Sequence, residues 1–178
     1  MIQKRKIHTM KVEEAILKRR SIRKYKDTPV SQELTEKLLT AADSAPSACN
    51  RHPLKFYSVT DRQILEKLNH SGRFTNIKAP LAIVVVGDLS RALPRSFGEY
   101  WIQDAAAASE NILLMATSLE LGSLWCGVYP QRDVMKSISE ALGLPDSEIP
   151  FSLIKIGYPD EEPTPHGDYN PERVSFID

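Results

Sequence analysis

The sequence predicts one α+β domain with an extended C-terminal tail, and three observations lead to that prediction. The chain of 178 residues is long enough for a single domain, which would bury roughly 70% of the surface that its unfolded form exposes. Segments with apolar residues at helical spacing alternate with short apolar runs typical of strands. After Pro159 come Pro163, Pro165 and Pro171, which favour an extended tail over a packed element.

Composition and charge narrow the class of protein. Hydrophobic residues make up 42% and charged residues 26% of the chain, values typical of folded globular proteins. The 23 Lys and Arg residues are balanced by 23 Asp and Glu residues, so no overall field attracts nucleic acid or an anionic membrane. The apolar run 81–86 is far too short to span a bilayer. We therefore expect a cytoplasmic protein without a nucleic-acid or membrane partner.

The two cysteines and the N-terminus carry further expectations. Cys49 and Cys126 lie far apart, and neither has a second cysteine at metal-ligand spacing. We therefore expect two reduced thiols and no metal site. Residues 1–10 are basic and lack a usable period, so we expect a flexible lead-in there and the single domain over residues 11–178.

Two helices are predicted before the first strand. Apolar residues at helical spacing predict a short helix over residues 12–20, which runs into a basic loop. Ser31 is suited to begin a second helix, because its hydroxyl can accept a hydrogen bond from a free N–H of the first turn. That helix should end before Pro46, because proline disfavours helical geometry at the residue preceding it.

A strand, a helix and a central strand should follow. Residues 55–60 alternate enough to indicate a strand, and Asp61 can cap the helix after it. The continuous apolar run 81–87 predicts a central strand that is covered on both faces.

The second half of the chain repeats this alternation. Residues 100–121 contain no Gly or Pro and predict the longest helix, with Gly122 as its left-handed C-cap. Residues 123–128 indicate a strand, a helix closed by Gly143 comes next, and residues 151–157 indicate the last strand.

The densest cluster of chemically active side chains is the basic segment, residues 18–26. It includes Arg19, Arg20, Ser21 and Arg23. Guanidinium groups bind phosphate in a bidentate manner, and a serine hydroxyl adds a neutral donor, so the segment is suited to a phosphate group. A solvated basic surface remains the alternative on these residues alone.

Two further segments combine small and hydrogen-bonding residues. The Pro-Ser loop, residues 45–53, lies between a predicted helix and a predicted strand, where binding sites are often built. Residues 122–128 form a strand bracketed by Gly122 and Gly127, which would let a planar ligand approach the backbone closely. An ordinary turn and an ordinary strand with a C-cap glycine are the competing interpretations.

Taken together, these segments resemble the nitroreductase family of flavin enzymes. The resemblance runs from about Val12 to Pro163 and includes the strings RRSIRKY, APSACNRHP, LGSLWCG and ALGLPDSEIPFSLIKIGYPDEEP in that order. It implies a mixed, mainly antiparallel central sheet flanked by helices. It also implies a homodimer that binds FMN at the subunit interface.

The resemblance assigns roles to particular residues. The basic segment would hold the flavin phosphate and ribityl chain, the Pro-Ser loop would reach the flavin from the partner subunit, and the backbone of the glycine-bracketed strand would lie beside the ring. Many relatives place a basic residue after the segment that matches residues 157–163, a position for which His166 or Arg173 would have to substitute. Residues 73–76 would also line the site, although none of the family motifs includes them. The implied cofactor-binding residues are Arg19, Arg20, Ser21, Arg23, Pro46, Ser47, Ala48, Asn50, Trp125, Cys126, Gly127, His166 and Arg173.

The implied activity is a ping-pong oxidoreduction. NADH or NADPH would reduce the flavin and leave, and an oxidised small molecule such as a nitroaromatic or a quinone would then accept the electrons. We expect no indispensable catalytic acid, base or nucleophile, because the cofactor carries the chemistry. Three alternatives remain open: a flavin carrier or sensor without turnover, a family member with specialised flavin chemistry, and a nucleic-acid binder that uses the basic segment.

Overall fold

The computed structural model describes residues 10–163 and 169–177 of the chain. The expected lead-in therefore lies outside the described residues, apart from Met10. The described chain contains five α-helices and four strands. In chain order they are α1 (Val12–Lys18), α2 (Gln32–Asp43), β1 (Leu54–Val59), α3 (Arg62–Asn69), β2 (Leu81–Asp88), α4 (Tyr100–Ser118), β3 (Gly122–Gly127), α5 (Arg132–Leu142) and β4 (Glu148–Gly157).

The four strands form one sheet in the order β1-β2-β4-β3, and every neighbouring pair is antiparallel. All residues of β2 are buried, which confirms the prediction of a central strand covered on both faces. The basic segment adds an isolated parallel bridge at the β3 edge, between Ser21 and Ser123. The α+β class and the mainly antiparallel sheet are confirmed.

Side-chain alternation along the strands divides the core into two layers. Ile83, Val85 and Ile154 pack with α2 and α4 on one face of the sheet. Val84 and Leu153 pack with α3 and α5 on the other face. The sheet is thus a buried middle layer, and its β3 edge is available to neighbouring segments.

Three predicted helix ends are confirmed. The Ser31 hydroxyl accepts the Leu34 N–H at 3.3 Å at the start of α2. Asp61 accepts two N–H groups of the first turn of α3, at 3.0 and 2.9 Å. Gly143 ends α5 with a φ of 65°, a conformation that glycine adopts without the steric cost of a side chain.

The prediction that Gly122 caps the long helix is wrong. Helix α4 ends at Ser118, and the left-handed residue after it is Glu120, with a φ of 59°. Gly122 is instead the first residue of β3, where a Cβ atom would lie 2.9 Å from side-chain atoms of Ile22. The glycine is required by this close approach of the basic segment and not by a turn.

The described part of the tail is largely exposed. It contains a short turn of 3-10 helix at Pro171–Arg173, and Phe176 and Ile177 are 85% and 96% exposed. None of the described helices has the length and hydropathy that a bilayer crossing requires.

Candidate functional site

The basic segment lies against the first residues of β3. The Ile22 N–H donates to the Ser123 carbonyl at 3.0 Å, and the Ile22 side chain is 5% exposed beneath Gly122. Ser21 and Arg23, on either side of Ile22, are exposed. Alternate residues of this extended segment therefore face solvent next to the sheet edge, as extended backbone geometry dictates.

The three arginines of this segment have different local partners. The Arg19 Nε lies 3.4 Å from Glu110 Oε1 on α4. The Arg20 Nη1 donates to the carbonyls of Leu17 and Arg19 at 2.8 and 2.6 Å. Arg23 is exposed and makes a long hydrogen bond of 3.4 Å to the Ser21 carbonyl. Ser21 and Arg23 are thus the exposed residues of this set, whereas Arg19 and Arg20 are half-buried.

Glu161 holds the backbone of the basic segment, a role that sequence reasoning missed. Its carboxylate accepts the N–H groups of Arg23 and Lys24, the second at 3.2 Å. The Arg23 N–H holds the pKa of this carboxyl below its usual range, with a smaller contribution from Lys24. The signal available in the sequence was the acidic pair that precedes Pro163, but no local rule connects it to residues so distant along the chain.

The outer edge of β3 exposes polar backbone groups. The Ser123 carbonyl points outward, since it accepts the Ile22 N–H, and strand residues alternate. The N–H and C=O groups of Trp125 and Gly127 therefore point the same way, and the Gly127 carbonyl accepts the Gln131 Nε2 at 3.2 Å. Gly127 is exposed, and a Cβ atom there would meet nothing within 4 Å. The Cys126 side chain points into the core layer that packs with α3 and α5, where the residue is 2% exposed. This burial raises the pKa of its thiol.

The Pro-Ser loop packs on the first half of α4. Its Pro46 and Asn50 are exposed, whereas Ser47 and Ala48 are half-buried. The Ala48 N–H donates to Asp104 Oδ1 at 2.9 Å. With Phe97, Tyr100 and their neighbours the loop lines an open cleft of about 560 Å³.

Comparison with known proteins decides the family. A profile described as the nitroreductase family matches residues 16–73 and 72–158, which is most of the chain. The chain belongs to the nitroreductase family. The resemblance seen in the sequence is thereby confirmed.

Three relatives of this family member are similar to it over most of their own length. A Methanothermobacter thermautotrophicus protein described as NADH dehydrogenase/NAD(P)H nitroreductase is 43% identical over 171 residues, or 95% of this chain and 88% of the relative. A structure with the same description from Parabacteroides distasonis has a TM-score of 0.86 at 38% identity and covers 93% of this chain and 96% of its own. A Desulfovibrio desulfuricans protein described as a nitroreductase was solved in complex with FMN, with a TM-score of 0.81 at 28% identity and coverage of 95% and 98%.

Within one chain of this nitroreductase-family fold, the predicted site residues form two separate groups. Arg19 contacts Glu110 on α4, whereas the Pro-Ser loop contacts Asp104. Asp104 and Glu110 are six positions apart on α4. This spacing corresponds to about 9 Å along the helix axis and to directions roughly 120° apart around it. The basic segment and the β3 edge therefore form one group, and the Pro-Ser loop lies on another side of α4.

His166, Arg173 and residues 73–76 are the remaining candidates. His166 lies outside the described residues, and Arg173 is exposed at the end of the turn Pro171–Arg173. Of residues 73–76, Thr75 is buried in a local hydrogen-bond network, and the Arg73 guanidinium lies 5.6 Å from the ring centre of exposed Phe74. Among the described residues, no three His, Cys, Asp or Glu side chains are grouped to hold a metal ion.

Proposed function

We propose that this chain is an FMN-dependent oxidoreductase that passes electrons from NADH or NADPH to an oxidised small molecule. Nitroaromatics and quinones are the acceptor classes that we expect, in a ping-pong cycle where the nicotinamide leaves before the acceptor enters. The observation that carries the proposal is the attachment of the basic segment to the open edge of β3, in a member of the nitroreductase family.

The donors of this group fit the two ends of FMN. Ser21 and Arg23 are exposed, and Arg19 and Arg20 lie beside them, so that the segment presents guanidinium and hydroxyl donors suited to a phosphate dianion. At the β3 edge, the N–H groups of Trp125 and Gly127 suit the polar edge of a flat ring, and the lack of a side chain at Gly127 leaves room for close approach. The FMN complex of the Desulfovibrio relative supports FMN as the cofactor.

The protein's part in the reaction is to bind and orient. Bound FMN supplies the redox chemistry, because its ring takes up and releases two electrons. The basic segment would fix the phosphate end, with Arg173 or His166 completing that site, and the backbone of residues 125–127 would set the depth of the ring. We propose no side chain as an essential acid, base or nucleophile.

We further propose that the site is completed by a second copy of the chain. Because the Pro-Ser loop and the basic segment lie on different sides of α4, the loop of one subunit would supply Pro46, Ser47, Ala48 and Asn50 to the flavin of its partner. Exposed apolar side chains support an interface: Ile16 and Leu17 of α1 are 50% and 64% exposed, and Phe176 of the tail is 85% exposed. Residues 11–178 would form one flavin-binding domain, and the two free cysteines suit the reducing cytoplasm.

Titration of the protein with FMN tests the proposed binding site. Replacing Arg23 with alanine removes one charge-assisted contact to the phosphate, so the dissociation constant should rise roughly 10- to 100-fold. The matched control is Lys136→Ala, which removes an exposed cation from α5. Quenching of flavin fluorescence measures both affinities. Equal weakening by the two variants would mean that general charge, and not the basic segment, attracts FMN.

Mixed dimers test the shared site. Arg23→Ala and Asn50→Ala homodimers should each bind FMN weakly, because every site in them lacks one contact. Random co-assembly of the two variants should restore about one site in four, since half of the dimers are mixed and one of their two sites is intact. FMN bound per chain after co-expression gives the count. Absence of restored sites, or a monomer loaded with FMN, would contradict the shared site.

A further inference from the structure

The Pro-Ser loop has a left-handed backbone conformation at three of its residues. Cys49, Asn50 and His52 have φ angles of 50°, 53° and 46°, a region that residues other than glycine rarely occupy, although Asn and His enter it more readily than Cys. Within the loop, the Asn50 N–H donates to the Ser47 carbonyl and the His52 N–H donates to the Ser47 hydroxyl, both at 3.0 Å. Such strained positions persist only where surrounding structure holds them.

Asp104 of α4 provides a direct link between this loop and the body of the fold. Its Oδ1 accepts the Ala48 N–H at 2.9 Å, and the residue is 6% exposed. No Lys, Arg or His among the described residues forms an ion pair with it. Burial raises the pKa of this carboxyl, and the Ala48 N–H partly offsets that effect. A buried carboxylate without a cation costs desolvation free energy, and the hydrogen bond from the Ala48 N–H offsets part of that cost.

We infer that Asp104 is a positioning residue that fixes the Pro-Ser loop through the Ala48 N–H. The inference rests on the proposed function, in which Ser47, Ala48 and Asn50 contact the flavin of the partner subunit. Asp104 itself touches the loop backbone and is not assigned a chemical step. Its role is to hold the strained backbone in one conformation before FMN binds, so that binding does not have to order the loop.

Substitutions at position 104 separate positioning from general stability. Asp104→Leu keeps the branched shape of the side chain and removes the acceptor, so the FMN dissociation constant should rise roughly 10- to 100-fold. Asp104→Asn keeps an oxygen acceptor and should restore most of the affinity. Ser109→Ala is the matched control, because it removes a buried hydrogen bond of α4 to Ser152 without contact to the loop. It should lower the thermal midpoint and leave FMN affinity unchanged.

A second variant removes the donor instead of the acceptor. Proline at position 48 lacks the N–H, and Ser47 already has the extended φ and ψ of −134° and 151° that a residue before proline requires. If one hydrogen bond carries the effect, Ala48→Pro should add little to Asp104→Leu in the double variant. If Asp104→Leu fails to fold, Ala48→Pro alone tests the same bond.

Amide hydrogen exchange of residues 48–52 tests the positioning role of Asp104 separately from the proposed binding of FMN. Faster exchange in Asp104→Leu than in the wild type and in Ser109→Ala would support the positioning role. Failure of the wild-type protein to bind FMN would refute the proposed function but would leave this exchange result valid. Unchanged exchange together with wild-type FMN affinity in Asp104→Leu would overturn the positioning role.

Discussion

Replacing Gly122 with valine is expected to release the basic segment from β3 and to weaken FMN binding by on the order of 100-fold. A weakening of this size corresponds to the loss of about two charge-assisted hydrogen bonds. A Cβ atom at this position would lie 2.9 Å from the Cβ and both γ carbons of Ile22. The two backbones must then move apart, because Ile22 is held by its N–H bond to Ser123. Arg23 and the Ser21 hydroxyl would move away from the β3 edge with it.

The control for Gly122→Val is a substitution that strains the fold elsewhere. Gly143 has a φ of 65° at the end of α5, so alanine there should cost about 1 kcal/mol of stability without altering the basic segment. Fluorescence titration with FMN and thermal unfolding measure the two quantities separately. Unaltered FMN affinity in a folded Gly122→Val protein would show that contact between the segment and β3 is not needed for binding.

Replacing Lys155 with methionine is expected to stabilise the protein at neutral pH. Lys155 is fully buried in β4, and its Nζ donates to Asn69 Oδ1 at 2.6 Å. Burial lowers the pKa of this lysine to about 8 from its ordinary 10.5, although Cys126 and Glu66 act in the opposite direction. A shift of this size corresponds to roughly 3 kcal/mol of unfavourable free energy for the charged form.

The lowered pKa of Lys155 also determines how the free energy of unfolding changes with pH. Below about pH 8 both the folded and the unfolded states carry the charge, so the cost of burying it is present in full. Between about pH 8 and pH 10.5 the unfolded chain binds a proton that the folded state has lost, so this group adds stability as pH rises. Methionine removes the titration, and its advantage over the wild type should shrink across that interval.

Urea unfolding at neutral and mildly alkaline pH measures this difference, with Lys136→Met as the control because Lys136 is exposed. Comparison with the control also cancels the titration of groups that do not interact with Lys155, whereas Cys126 is coupled to it. A stability difference between Lys155→Met and the wild type that stays constant with pH would contradict a buried, depressed lysine.

Local signals in the sequence predicted much of the fold. Ser31, Asp61 and Gly143 mark helix ends because a single side chain or a single φ angle decides them. The continuous apolar run of β2 identified the central strand for an equally local reason.

Contacts between distant segments could not be predicted in the same way. Gly122 matched the pattern of a C-cap, yet its role is set by Ile22 a hundred residues earlier. The hydrogen bonds that Glu161 accepts from the basic segment and Asp104 accepts from Ala48 likewise join elements far apart in the chain. The FMN-binding roles of the basic segment, the Pro-Ser loop and β3 came from the order of motifs, and they remain predictions.

The central claim is best tested by the absorbance spectrum of protein that has been loaded with FMN, freed of excess and placed under anaerobic conditions. We expect the visible flavin band to be retained, to bleach when NADH or NADPH is added, and to return when a quinone or nitroaromatic follows. Protein that retains no flavin, or whose band is unchanged by both nucleotides, would contradict an FMN-dependent NAD(P)H oxidoreductase.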